Sequence, residues 1–108
     1  MVQEVDVRTF AAAHADGALV IDVREPHEYT SGHVPGARLV PLGTVQRAAG
    51  DLPGSQPVYV ICASGNRSRT AASWLSQMGF DARSVAGGTA GWSGAGLPVV
   101  QGNRENAA

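Results

Sequence analysis

Val58-Tyr59-Val60-Ile61-Cys62-Ala63-Ser64-Gly65-Asn66-Arg67-Ser68 passes from strand-forming residues through a small polar loop into the start of a helix. Val58 to Ile61 is β-branched and aromatic without polar interruption, the pattern of a strand covered on both faces. From Ser68 to Met78 the spacing is helical, with Ala71, Trp74, Leu75 and Met78 on one face. Cys62, the only cysteine in the chain, therefore stands where a buried strand ends and a loop begins. Open parallel sheets bind ligands at that edge, and the loop amides lie at the positive end of the following helix. A thiolate there is stabilised.

Working outward toward the N-terminus, Gly50 to Ser55 reads as a surface loop, Leu42 to Ala49 as weakly helical and Arg38-Leu39-Val40 as a strand. His33-Val34-Pro35-Gly36 is a turn by composition, and Pro26 to Tyr29 a short helix ended by Gly32. Ala18 to Ile21 is an apolar run that ends in the charged cluster Asp22-Val23-Arg24-Glu25. A helix starting at Asp6 or Thr9 and stopping at Asp16-Gly17 follows a short strand over Val2 to Val5. Toward the C-terminus, Gly79 and Phe80 form a helix stop, and Ala82 to Val85 gives another strand. Gly87 to Trp92 is a glycine-rich turn into a short helix, Val99-Val100 is placed at a sheet edge, and Gln101 to Ala108 is expected to fray. Strands alternating with helices predict an α/β domain with a parallel sheet.

Composition narrows the function classes. The chain of 108 residues is long enough for one core, and the domain is placed over residues 1–100. A formal net charge of -1, with all eight basic residues scattered arginines, gives no nucleic-acid footprint. No stretch approaches the ~20 apolar residues of a membrane span, and the first residues carry no leader pattern, so a cytoplasmic protein is expected. One cysteine excludes an internal disulfide and a multi-thiolate zinc site, and His14, His27 and His33 lack metal-ligand spacing. Nothing in the pattern asks for a metal or a cofactor.

The chemistry centres on Cys62. A thiol with a pKa near ~8.5 is only slightly ionised at neutral pH, so a nucleophilic cysteine needs an anion-stabilising setting. Arg67, the helix N-terminus and the amides from Ala63 to Ser68 supply candidates, Gly65 gives the loop freedom to curl, and Ser64, Asn66 and Ser68 can bond within it. Arg69, two positions on, faces elsewhere and reads as solvated. His33 reads as a turn residue whose ring bonds backbone, and Trp92 as core packing.

Four ordered motifs carry a resemblance: Ile21-Asp22-Val23-Arg24-Glu25, Gly32-His33-Val34-Pro35-Gly36-Ala37, Cys62 to Ser68, and Gly87-Gly88 with Trp92. Together, across residues 4–100, they resemble a single-domain rhodanese. The resemblance implies a three-layer domain with a five-stranded parallel sheet between helices, and a sulfurtransferase without a cofactor. It implies that Cys62 accepts a sulfane sulfur from a small anionic donor, thiosulfate first, and passes it to cyanide or an external thiol, including a protein thiol. Substrate binding then falls to Ala63, Ser64, Gly65, Asn66, Arg67 and Ser68, and Asp22 and Arg24 resemble the family's structural Asp-x-Arg support. A cysteine phosphatase or arsenate reductase also places Cys and Arg around an anion loop, but with one more residue than the four between Cys62 and Arg67. A non-catalytic sulfur-carrier or regulatory module is the third reading, and such modules commonly lack the cysteine.

Overall fold

The central strand is β4 (Val58–Ile61), and every one of its residues is buried. In the computed structural model, which describes residues 2–106, it pairs with β2 (Leu19–Asp22) on one side and β5 (Ala82–Val85) on the other. Beyond them lie β3 (Arg38–Leu39) and β1 (Gln3–Val5), completing a five-stranded, wholly parallel sheet in the order β1-β5-β4-β2-β3. Parallel neighbours need crossovers, and helices α1 (Val7–Ala15), α2 (Pro26–Ser31), α3 (Val45–Ala48) and α4 (Asn66–Gln77) provide them, while α5 (Gly88–Gly94) follows the last strand.

Alternation along β4 builds two cores. Val58, Val60 and Cys62 pack with Val45 of α3 and with Ala71, Ala72 and Leu75 of α4. Tyr59 and Ile61 point the other way, to Phe10 of α1, Tyr29 of α2 and Trp92 of α5. Trp92 is core, as expected, with its indole nitrogen donating to the Pro98 carbonyl at 2.7 Å. No helix among the described residues is long and apolar enough to cross a membrane.

Several local expectations are sharpened. Asp6, rather than Thr9, caps α1, its carboxylate accepting from the Thr9 amide at 2.7 Å. Helix α4 starts at Asn66, two residues before Ser68, which puts Arg67 in its first turn. Met78 lies past the helix and is exposed, and Ala72 takes the buried place expected of it. Gly79 has φ +98° and lets Phe80 donate its amide to the Leu75 carbonyl at 3.0 Å, the expected stop. Leu42 to Asp51 is a chain of short turns around the four-residue α3.

One C-terminal expectation is corrected. Val100 joins no sheet edge and forms one antiparallel bridge to His33. Residues 101–106 are exposed, and their backbone meets partners in the turn around His33. Gly102 donates its amide to the Thr30 carbonyl at 2.9 Å, the Glu105 carbonyl accepts from the Gly36 amide at 2.7 Å, and the Arg104 carbonyl lies 2.7 Å from Nε2 of His33. Ala107 and Ala108 lie outside the described residues.

Candidate active site

Cys62 follows β4 directly and turns its side chain toward α4, where it is 1 % exposed. The loop curls because Gly65 sits at φ +115°, a conformation that a side chain would strain. That curl brings the Gly65 amide to donate to Cys62 Sγ at 3.1 Å. Ser68 Oγ lies 3.5 Å from the same sulfur, 3.1 Å from the Gly65 carbonyl and 2.7 Å from Ser84 Oγ on β5. Burial pushes the Cys62 thiol up, but the Ser68 hydroxyl and the amides of Ser68, Gly65 and Ser64 outweigh it and hold the thiol below its ordinary value.

The two hydroxyls form a relay. In the neutral state the S–H can donate to Ser68 Oγ; on ionisation Ser68 can turn its own hydrogen to the sulfur and accept from Ser84. Sequence reading missed Ser84. A serine in the middle of an otherwise buried strand was the available signal, since a buried hydroxyl requires a partner.

A second set of contacts fixes the loop from behind. The Thr89 amide donates to the Cys62 carbonyl at 2.8 Å and the Ala90 amide to the Ala63 carbonyl at 3.0 Å. This approach demands glycine at position 88: its φ is +56°, and a Cβ there would lie 2.5 Å from the Cys62 carbonyl oxygen and 2.6 Å from that of Ala63. Thr89 Oγ1 is buried and has no hydrogen-bond partner among the described residues.

The charged residues are arranged differently from the sequence expectation. Arg67 does not face the loop interior as a free cation. Its two terminal nitrogens donate to the carboxylate oxygens of Glu28 on α2 at 2.7 and 2.8 Å. That pair holds Glu28 down to about 2, with Arg67 the principal cause, and pushes Arg67 up, chiefly through Glu28 and more weakly through the charge on Cys62. Glu28 was not singled out from sequence, although its place three residues after Glu25 marks a helix-capping role: it also accepts the Glu25 amide at 3.0 Å.

Asp22 and Arg24 form the buried support that the sequence suggested. Arg24 donates from Nε and a terminal nitrogen to the Asp22 carboxylate at 2.8 to 3.1 Å, and also to the Gly32 carbonyl at 2.8 Å. Arg69 is exposed, 3.5 Å from Glu4. His33 has Nδ1 2.9 Å from the Tyr29 carbonyl and Nε2 on that of Arg104, which leaves neither nitrogen for Cys62. Of the loop side chains, Ser68 bonds within the loop, whereas Ser64 and Asn66 are exposed and Ala63 is half-buried.

An open pocket of about 310 Å³ adjoins the loop, walled by Ala63, Thr89, Ala90, Gly32 and Val99, with Arg24, paired to Asp22, and Glu28, paired to Arg67. A larger groove of about 570 Å³ lies over the outer side of α4, between Val2, Asn66, Arg69 and Trp74, and includes neither Cys62 nor Ala63. Cys62 lines neither of them; the smaller pocket reaches the loop at Ala63, the residue after the sulfur-bearing one, and the larger at Asn66.

A buried thiol held down by amides at the mouth of a parallel sheet defines a class, that of α/β proteins with a cysteine anion loop. The chain belongs to the rhodanese-like domain family, whose profile matches residues 5–95. It is 32% identical over 103 residues to a sulfurtransferase of Allochromatium vinosum, covering 93% of this chain and 96% of that protein. It is 40% identical over 76 residues to a putative sulfur carrier protein of Bacillus subtilis, a match covering 69% of this chain but only 41% of the relative. Among solved structures, a rhodanese-related protein of Thermoplasma volcanium superposes with a TM-score of 0.85 at 32% identity, over 91% of this chain and 97% of that one.

Proposed function

We propose that this protein is a sulfurtransferase that works through a persulfide on Cys62. The observation that carries the reading is the sulfur's setting: Gly65 donating to Sγ at 3.1 Å, with Ser68 beside it, at the end of a buried parallel strand. Those donors favour an anion at Sγ, and a thiolate or a persulfide presents one. The relatives named sulfurtransferase and sulfur carrier point the same way.

In the proposed cycle, the Cys62 thiolate attacks the outer sulfur of a sulfane donor. A new S–S bond forms as the donor's own bond to that sulfur breaks, and the electron pair leaves on the donor remnant, which is sulfite when the donor is thiosulfate. An external nucleophile, cyanide or a thiol, then takes the outer sulfur and returns the thiolate. No second cysteine exists in the chain, so the persulfide has no internal partner to resolve it. Arg67 serves here as a brace between α4 and α2. A phosphatase-like reading needs its guanidinium turned to a tetrahedral oxyanion, and the bidentate pair with Glu28 disfavours that.

The test is Cys62→Ser, with the mass of the protein followed after exposure to thiosulfate or a persulfide. The native chain gains one sulfur atom, gives parallel double-reciprocal plots as acceptor is varied, and releases donor remnant before acceptor is added. The serine variant folds and gains no sulfur. Transfer by the variant at the native rate ends the proposal.

A further inference from the structure

We infer that the site draws its sulfur from a low-molecular-weight organic persulfide, R–S–SH, in preference to the thiosulfate dianion, and that Glu28 sets this preference by occupying Arg67. The inference rests on the sulfurtransferase reading and concerns its donor.

A small dianion is gathered by uncompensated positive charge. Three arginines surround the loop, and each has a carboxylate. Arg67 spends both terminal nitrogens on Glu28 at 2.7 and 2.8 Å, Arg24 is forked onto Asp22 and onto the Gly32 carbonyl, and Arg69 lies 3.5 Å from Glu4 beside the separate groove. Among the described residues the pocket wall therefore offers no free cation, and it includes the Glu28 carboxylate, which repels a dianion. Inside the loop, the Gly65 amide at 3.1 Å, together with those of Ser64 and Ser68, already serves one anion, Cys62 itself.

The pocket suits a donor with a carbon body. Its volume of about 310 Å³ stands at the lower end of the ~300–1,000 Å³ range of small-molecule sites. Ala63, Ala90, Gly32 and the 39 % exposed Val99 supply apolar wall, and Ser31 and Ser93 supply hydroxyls. An alkyl group gains from covering that wall, whereas a bare sulfur oxyanion leaves it to water. For a persulfide the step balances without a further reagent. The thiolate of Cys62 attacks the outer sulfur, that sulfur transfers with its hydrogen, and the donor's S–S electron pair departs on RS⁻.

The experiment measures the rate of sulfur gain on Cys62 with two probes, thiosulfate and the persulfide of 2-mercaptoethanol, each normalised to its reaction with a free thiol. Native protein favours the persulfide, and its thiosulfate rate changes by no more than about twofold between low and high salt, since no net attraction exists to be screened. Glu28→Gln frees Arg67, shifts the donor ratio toward thiosulfate by about tenfold, and introduces a thiosulfate rate that falls as salt rises. A native preference for thiosulfate, or a native thiosulfate rate that drops about tenfold with salt, overturns the inference even if the variant does not fold. A folded variant with an unchanged donor ratio overturns the role of Glu28. No sulfur gain from either probe is a separate result, and it removes the sulfurtransferase reading itself.

Discussion

At the scale of single residues, the balance at Cys62 decides reactivity. Burial alone would keep the thiol protonated, and the Ser68 hydroxyl with the Ser68, Gly65 and Ser64 amides reverses that. Ser84, by donating to Ser68 Oγ, leaves the Ser68 hydrogen able to turn from the Gly65 carbonyl to the ionised sulfur. Ser84→Ala should therefore raise the pH at which Cys62 ionises, by up to about one pH unit, the worth of one hydrogen bond. The sign is fixed by which form reacts: the thiolate exists above the midpoint, so the variant loses sulfur loading around the native midpoint and recovers it at higher pH. Thiolate ultraviolet absorbance against pH reads the midpoint directly. An unmoved midpoint would show that Ser84 only packs.

Between elements, the site is where β4, α4, β5 and α5 meet, and each contact has a distinct physical cause. Helix α4 brings the Ser68 hydroxyl and the Arg67 brace; β5 brings Ser84. The start of α5 brings two amides to the Cys62 and Ala63 carbonyls, and only a glycine at 88 permits that approach. Gly88→Ala adds left-handed strain to a clash with two backbone oxygens, so a loss of about 3 kcal/mol is expected. Because the clash is with the Cys62 carbonyl, the change should also displace the loop. Chemical denaturation measures the first effect, and sulfur loading of the folded fraction the second; a variant as stable and as active as native protein would contradict the close approach.

For the whole molecule, the C-terminal segment closes the side of the domain around His33. Three backbone groups, at Gly102, Arg104 and Glu105, find partners at Thr30, His33 and Gly36. With three bonds at about 1 kcal/mol net each as the ceiling, and the entropy regained by the freed chain acting against it, removal of residues 101–108 should cost up to about 2 kcal/mol. That corresponds to a drop of up to roughly 15 °C in Tm for a domain of this size. Deletion without change in Tm would mean that the segment adds nothing in solution.

What the amino-acid sequence determined by itself was whatever depends on local order. Apolar runs at Val58 to Ile61 and Ala18 to Ile21, helical spacing after the loop, and glycines at 65 and 79 announced a parallel α/β sheet with Cys62 at a strand end. The four ordered motifs announced the family. Pairings between distant residues were decided by tertiary structure alone. Glu28 reaches Arg67 because α2 packs beside the start of α4, Ser84 reaches Ser68 because β5 neighbours β4, and residues 101–106 find acceptors and donors only once the His33 turn is folded. A guanidinium, a hydroxyl and a carbonyl each carry bonding capacity legible in the chain, but the partner that satisfies it is a property of which elements lie side by side.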